Sequence, residues 1–217
     1  KDMSAEMRVW GHAGGSMGHV ILKSDGEPAT VALSEALAKY HGGRVVMEKA
    51  AKGESQTNGV VEEAGKTIRE YARVFKEQIE HQAGIEIWGD DPISLWVVRW
   101  AAMNTSRYLV GKDGKTAYER RGRKCRTPVV PIGETVWYKA LKEHKDKADS
   151  VWAEGVWLGH NRESNETLIG TAVGVVRAYA VIRKQEGERW DGERIKSMKG
   201  TPQQPNPNKG DIDEPSL

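Results

Sequence analysis

Two carboxylates and the residues around them carry the chemistry that this sequence suggests. Asp25 ends the stretch His19-Val20-Ile21-Leu22-Lys23-Ser24-Asp25-Gly26-Glu27-Pro28, and Glu62 follows Asn58-Gly59-Val60-Val61, with 36 residues between the two acids. An apolar run that ends in an acid and a glycine predicts a strand delivering a carboxylate to its tip. An acid three residues into a helical pattern predicts a carboxylate in a first turn. Two such groups brought together are hard oxygen ligands for Mg2+ or Mn2+, the kind of pair that metal-assisted phosphoryl transfer uses. Beyond Glu62, Lys66, Arg69 and Arg73 recur at helical spacing on its side. Cations there can hold phosphates, and Gln56 and Asn58 in the preceding polar loop can reach a base edge or a sugar. A third group is the basic run Arg121, Arg123, Lys124 and Arg126.

Strands, helices and a polar loop have to position these side chains. Residues 19–25 read as a strand. Pro28 opens a helix that reaches about Tyr40 and stops at Gly42-Gly43. Arg44 to Glu48 reads as a short strand, and Ala50 to Asn58 as a polar loop. From Gly59 a helix of about 25 residues places Val61, Ala64, Ile68, Ala72, Phe75 and Ile79 on one apolar face. Asp90, Asp91 and Pro92 predict a capped helix start, running to about Arg107 with Trp96, Val97, Trp100, Ala101 and Asn104 inward. After Pro128 and Pro131 the pattern changes. Gly133–Tyr138, Gly155–Gly159, Glu166–Thr171 and Val175–Ile182 are short strand-like runs between polar turns, the pattern of a small barrel, with Trp137 and Trp157 expected in its core. From Glu186 the apolar pattern fades. Residues 199–217 hold four of the eight prolines, so residues 186–217 are expected to be a disordered tail.

The phrase Ser24-Asp25-Gly26-Glu27-Pro28, its gap to Asn58-Gly59-Val60-Val61-Glu62, and the later Gly155-Val156-Trp157-Leu158-Gly159 together resemble the integrase of copia-type retrotransposons, over about residues 20 to 183. That family carries an Asp, Asp, Glu triad, and Asp25 and Glu62 match its second and third members. The resemblance implies an α/β fold. It divides the chain into a partial RNase H-like integrase core over 1–110, with helices and a small remnant sheet, a basic connector over 111–132, and an SH3-like β-barrel over 133–185. It implies divalent-metal-dependent DNA strand transfer, with Asp25 and Glu62 as catalytic metal ligands. Gln56, Asn58, Lys66, Arg69, Arg73, Arg121, Arg123, Lys124 and Arg126 would bind DNA, with a homo-oligomer as the working form. The family's first Asp has no counterpart among residues 1–24, whose only acids are Asp2 and Glu6. The chain is therefore expected to be a fragment that binds nucleic acid without catalysing strand transfer. The other reading is a non-catalytic interaction or scaffold protein derived from such an element.

Composition narrows the alternatives. The net charge is only +2, so the case for a polyanionic partner rests on local runs: from Arg121 to Lys147 eight cations face three acids. A single cysteine, Cys125, excludes an intramolecular disulfide and a two-Cys, two-His zinc site within the chain, and points to a reducing nuclear or cytoplasmic setting. No run approaches the roughly 18 apolar residues of a membrane-spanning helix, and no membrane partner is expected. Gly11-His12-Ala13-Gly14-Gly15-Ser16-Met17-Gly18 lacks the lysine of a nucleotide-binding P-loop.

Overall fold

A computed structural model describes residues 19–24, 27–41, 44–49, 59–121, 129–139, 151–161 and 164–207. The fold is mixed α/β and forms two compact units, residues 1–66 and 67–217. The expectations for residues 1–18, 50–58, 122–128 and 208–217 lie outside the described residues.

In the first unit, strand β1 (His19–Ser24), helix α1 (Pro28–His41) and strand β2 (Arg44–Lys49) follow in order. The strands pair in parallel, with Val20 opposite Val45, Ile21 opposite Val46 and Leu22 opposite Met47. Parallel neighbours need a crossover, and α1 supplies it. Pro28 stands at its first position, where the missing N–H costs nothing, and the Val31 N–H donates to the Glu27 carbonyl at 2.9 Å. Strand alternation puts Val20 and Leu22 on the half-buried face, while Ile21 and Val46 point to the other. Ile21 is 62% exposed, and Ser34 is the only buried residue among those described in this unit.

Helix α2 (Gly59–Ala83) spans the boundary at Lys66. Its predicted apolar stripe is real but is buried only at one end. Val61 is 73% exposed, Ile68, Ala72 and Phe75 are half-buried, and Ile79 is fully buried. Burial, not periodicity, sets how much each position contributes, so the first turns of α2 add little packing energy.

The second unit packs the later part of α2 and helix α3 (Pro92–Arg107) with a five-stranded antiparallel sheet. The strands are β3 (Thr135–Lys139), β4 (Trp152–His160), β5 (Thr167–Thr171), β6 (Gly174–Ala178) and β7 (Val181–Arg183), in the order β6-β5-β4-β3-β7. The run expected as one strand from Val175 to Ile182 is broken at Tyr179 and Ala180. Its second half leaves β5 and pairs with β3, Trp137 lying opposite Ile182. One cluster joins Ile79, Ile93, Trp96 and Trp100 from the helices to Val136, Val156, Trp157 and Ile169 from the strands. Each such side chain stabilises the fold by about 1.5–3 kcal/mol. The Trp100 and Trp157 rings meet edge to face at 4.8 Å and 87°. Gly159 makes this approach possible: its φ is +114°, and a Cβ there would stand 3.0 Å from the Trp100 ring. The β4–β5 register shifts between Trp157 and Gly159, the local irregularity such a backbone produces.

Three expectations are corrected here. The separation of a core ending at 110 from a barrel beginning at 133 is not seen, because α3 and the strands share one hydrophobic interior. Trp137 is not in the core. It is 37% exposed, with the Lys184 ammonium 5.3 Å over its ring, because alternation along β3 turns it away from buried Val136 and Tyr138. The tail is ordered over 186–207. A 3-10 turn (Glu186–Glu188) leads into helix α4 (Gly192–Ser197), capped by the Asp191 carboxylate, which accepts from the Arg194 N–H at 2.9 Å. Ile195 and Met198 are buried in the common core. The Trp96 indole N–H donates to the Gly200 carbonyl at 2.9 Å, and the Val175 N–H to the Pro205 carbonyl at 2.8 Å.

Candidate nucleic-acid interface

Glu62 lies in the first turn of α2, as expected, and its side chain is exposed. An anion there complements the positive end of the helix dipole whatever else it does. Asp25, the residue after β1, lies outside the described residues, so the sequence alone carries its pairing with Glu62. Among the described residues, no three His, Cys, Asp or Glu side chains group closely enough to hold a metal ion. The Glu62 carboxylate is an accessible hard oxygen donor, which suits one ligand of a Mg2+ or Mn2+ site.

Of the residues expected to bind DNA, Lys66, Arg69 and Arg73 are all exposed on α2. The helical repeat runs them as a strip from Glu62. Gln56, Asn58, Arg123, Lys124 and Arg126 lie outside the described residues. Arg121 closes the 3-10 turn Glu119–Arg121. That turn is built by a reciprocal pair: the Thr116 N–H donates to Glu119 Oε2 at 2.9 Å, and the Glu119 N–H donates to Thr116 Oγ1 at 3.1 Å. Its neighbour Arg120 forks onto Asp113 at 2.8 and 2.6 Å, and that guanidinium holds the Asp113 carboxyl far below the usual carboxylate range. The entry to the basic run is therefore anchored at both ends of a tight turn.

Sequence reasoning missed two polar arrangements in the sheet. The first centres on Glu134, which is fully buried. Arg183 forks onto it at 3.1 and 3.0 Å, and Arg189 Nε reaches it at 3.1 Å. Around it, Glu154 takes Lys184 at 2.7 Å and Arg194 at 2.5 Å. A buried carboxylate needs such partners, or its desolvation would outweigh any gain. One of the acids counted against the basic run, Glu134, thus pairs internally with Arg183 of β7 and Arg189 after it.

The second arrangement is a cavity of about 540 Å3 in the second unit, walled by Val130, Trp157, Ala178 and Val181, with His160, Glu166, Tyr179 and Arg183 at its polar parts. Trp157 and His160 meet edge to face at 5.4 Å. Glu166 accepts from Ser164 Oγ at 2.5 Å, with Arg177 Nη1 at 3.8 Å. The Ser164 bond first, then Tyr179 and Arg177, holds the Glu166 carboxyl below its ordinary value. The neighbouring Glu166 carboxylate pushes the Tyr179 phenol up. Tyr179 sits at the break between β6 and β7, and no motif marks it. The one signal available was an aromatic residue interrupting a strand-like run.

No protein-family model matches the sequence, and no curated protein matches it either. Among the described residues, no helix is long and apolar enough to cross a membrane.

Proposed function

We propose that the chain derives from a copia-type integrase and that its own activity is nucleic-acid binding. The observation that carries this reading is the order β1-α1-β2-α2 with parallel strands. In that order Asp25 directly follows β1, and Glu62 opens α2 with Lys66, Arg69 and Arg73 behind it. An RNase H-like core needs a parallel strand pair of this kind beside its acids, and a phosphate backbone needs the cations. The five-stranded antiparallel sheet supports the finer reading of an SH3-like module. In a complete site, Asp25 and Glu62 would hold the divalent cation, which supplies charge neutralisation at a phosphate. The chain's own side chains bind and orient the strand: Lys66, Arg69 and Arg73 on phosphates, Arg121, Arg123, Lys124 and Arg126 along the backbone.

The test is a salt titration of duplex DNA binding. Binding at low ionic strength should weaken steeply as salt rises, and replacing Lys66, Arg69 and Arg73 together by Ala should reduce the logarithmic slope by roughly 1 per lost phosphate contact. Absence of duplex binding at low salt sinks the reading. One observation favours a second reading, a non-catalytic scaffold: Ile21 and Val46, paired side by side, expose apolar surface on one face of the two-stranded sheet, as a protein-contact face would. That reading expects concentration-dependent association in sedimentation, without salt-dependent DNA binding.

A further inference from the structure

The cavity of about 540 Å3 in the second unit falls in the range of small-ligand sites, about 300–1,000 Å3. Val130, Trp157 and Ala178, all buried, form its apolar wall with half-buried Val181. Such a wall accepts any hydrocarbon, so the charged groups in the lining select the occupant. These are Glu166 and Arg183, and they are not equivalent. Arg183 forks onto the fully buried Glu134 carboxylate, Nε at 3.1 Å and Nη2 at 3.0 Å, so its charge is met inside the fold. Glu166 has only looser company. Ser164 Oγ, a neutral donor, reaches its Oε2 at 2.5 Å, and the Arg177 guanidinium stands 3.8 Å from the same oxygen. The Arg177 side chain is 58% exposed and does not line the cavity. An ion pair that long and that wet contributes little. The Ser164 bond also holds the Glu166 carboxyl below its ordinary value, so the group is an anion at neutral pH.

Sheet order separates the two lining charges. Glu166 leads into β5, whereas Arg183 lies on β7, three places along the sheet. An anionic ligand would meet the Glu166 carboxylate and find the Arg183 guanidinium taken. A neutral apolar ligand would fill the wall and leave the carboxylate without a close cation. A protonated alkylamine answers both features: its methylenes lie on the apolar wall, and its ammonium donates to the carboxylate. The exposed Tyr179 ring, also in the lining, offers a cation a π face. We propose that this cavity is a receptor for a protonated alkylamine, the lysine side chain of a partner protein or a free small amine, with Glu166 binding the ammonium. The site does not rest on the nucleic-acid reading above.

The test titrates the whole chain with butylammonium, butan-1-ol and butyrate, followed by saturation-transfer NMR at neutral pH and low salt. Butylammonium should bind tightest and butyrate weakest. Glu166→Gln should weaken butylammonium about fivefold, the difference between a charged and a neutral hydrogen-bond acceptor, and leave butan-1-ol unchanged. The order of the three ligands needs no variant, so it decides the matter even where Glu166→Gln fails to fold. Butan-1-ol or butyrate binding as tightly as butylammonium overturns the receptor. So does an unchanged butylammonium affinity in a folded Glu166→Gln chain, or no binding of any of the three. A blocked pentapeptide with one central lysine, set against its norleucine counterpart, separates the two sources. Tighter binding of the lysine peptide than of butylammonium assigns the site to a partner's side chain, and the reverse assigns it to a free amine.

Discussion

The two units of this chain divide its chemistry from its packing. The first carries the spacing that suggests a metal site, yet among its described residues only a serine is buried, and Ile21, Leu33, Val46 and Met47 stay exposed. The second matches no catalytic motif and holds the whole described apolar core, including Trp96, Trp100 and Trp157. Motif spacing reports what side chains could do, whereas burial reports what keeps the backbone in place. In this chain the two signals come from different segments and should respond to different substitutions.

The sharpest way to break that contrast is a core truncation. Trp157→Ala removes a ring packed against Trp100 and His160. It should lower stability by about 3–5 kcal/mol, read as a fall in the urea midpoint, while Ile21→Ala in the first unit should cost less than about 1 kcal/mol. Comparable losses at the two sites would erase the distinction. Next, Ile195→Ala in α4 should cost about 2–4 kcal/mol. A neutral result would return residues 186–207 to the disordered tail expected from composition. Glu134→Gln should cost about 2 kcal/mol. That is less than the 3–5 kcal/mol for breaking a fully buried pair, because Arg183 and Arg189 both reach solvent.

Acid should act on the second unit. Glu80 is held low by the Ile87 N–H and Lys76. Burial alone would raise Asp91, but Lys196 and the Trp88 N–H outweigh it and hold it low. Glu166 is held low by Ser164. Folded-state values below the unfolded 4.5 for Glu and 3.8 for Asp mean that these groups stabilise the fold above that range. Their contribution should fade as pH falls through the depressed values, seen as a urea midpoint that drops steadily below about pH 4. A flat profile there would remove the coupling. The smallest expected effect is at the chemical candidate itself: Glu62→Gln, at an exposed first-turn position, should change stability by no more than about 0.5 kcal/mol.

Much of the scaffold was legible in the sequence. Pro92 and Arg107 bound α3 as expected, because a proline start and a buried stripe of tryptophans leave little choice. Even there the cap differs. The Asp91 side chain does not cap α3 but turns back to the Trp88 N–H at 2.7 Å and to Lys196 at 2.6 Å, a partner 105 residues away. Helix α4 was illegible because six residues with one buried apolar side chain, Ile195, make no periodic signal. Its order comes from tertiary contacts that a local pattern cannot register. Trp137 was misplaced for a related reason: its size argued for the core, whereas its parity along β3 decided the outcome. At the candidate site, Glu62 and the α2 strip were found where expected, since helix spacing is local. Glu166 and Tyr179 were not, because the turn that joins them is defined by strand pairing.

The bond from Trp96 to Gly200, like that from Asp91 to Lys196, ties α3 to the last described stretch of the chain. A polypeptide leaving the ribosome makes α3 about a hundred residues before its lock arrives. Until then the Trp96 indole N–H lacks its partner and α3 lacks the cover of Ile195 and Met198, which leaves it more open to chaperones and to proteases. Folding of this unit should therefore finish late and all at once, and a ribosome stalled before residue 200 should hold a chain that is cut readily within α3.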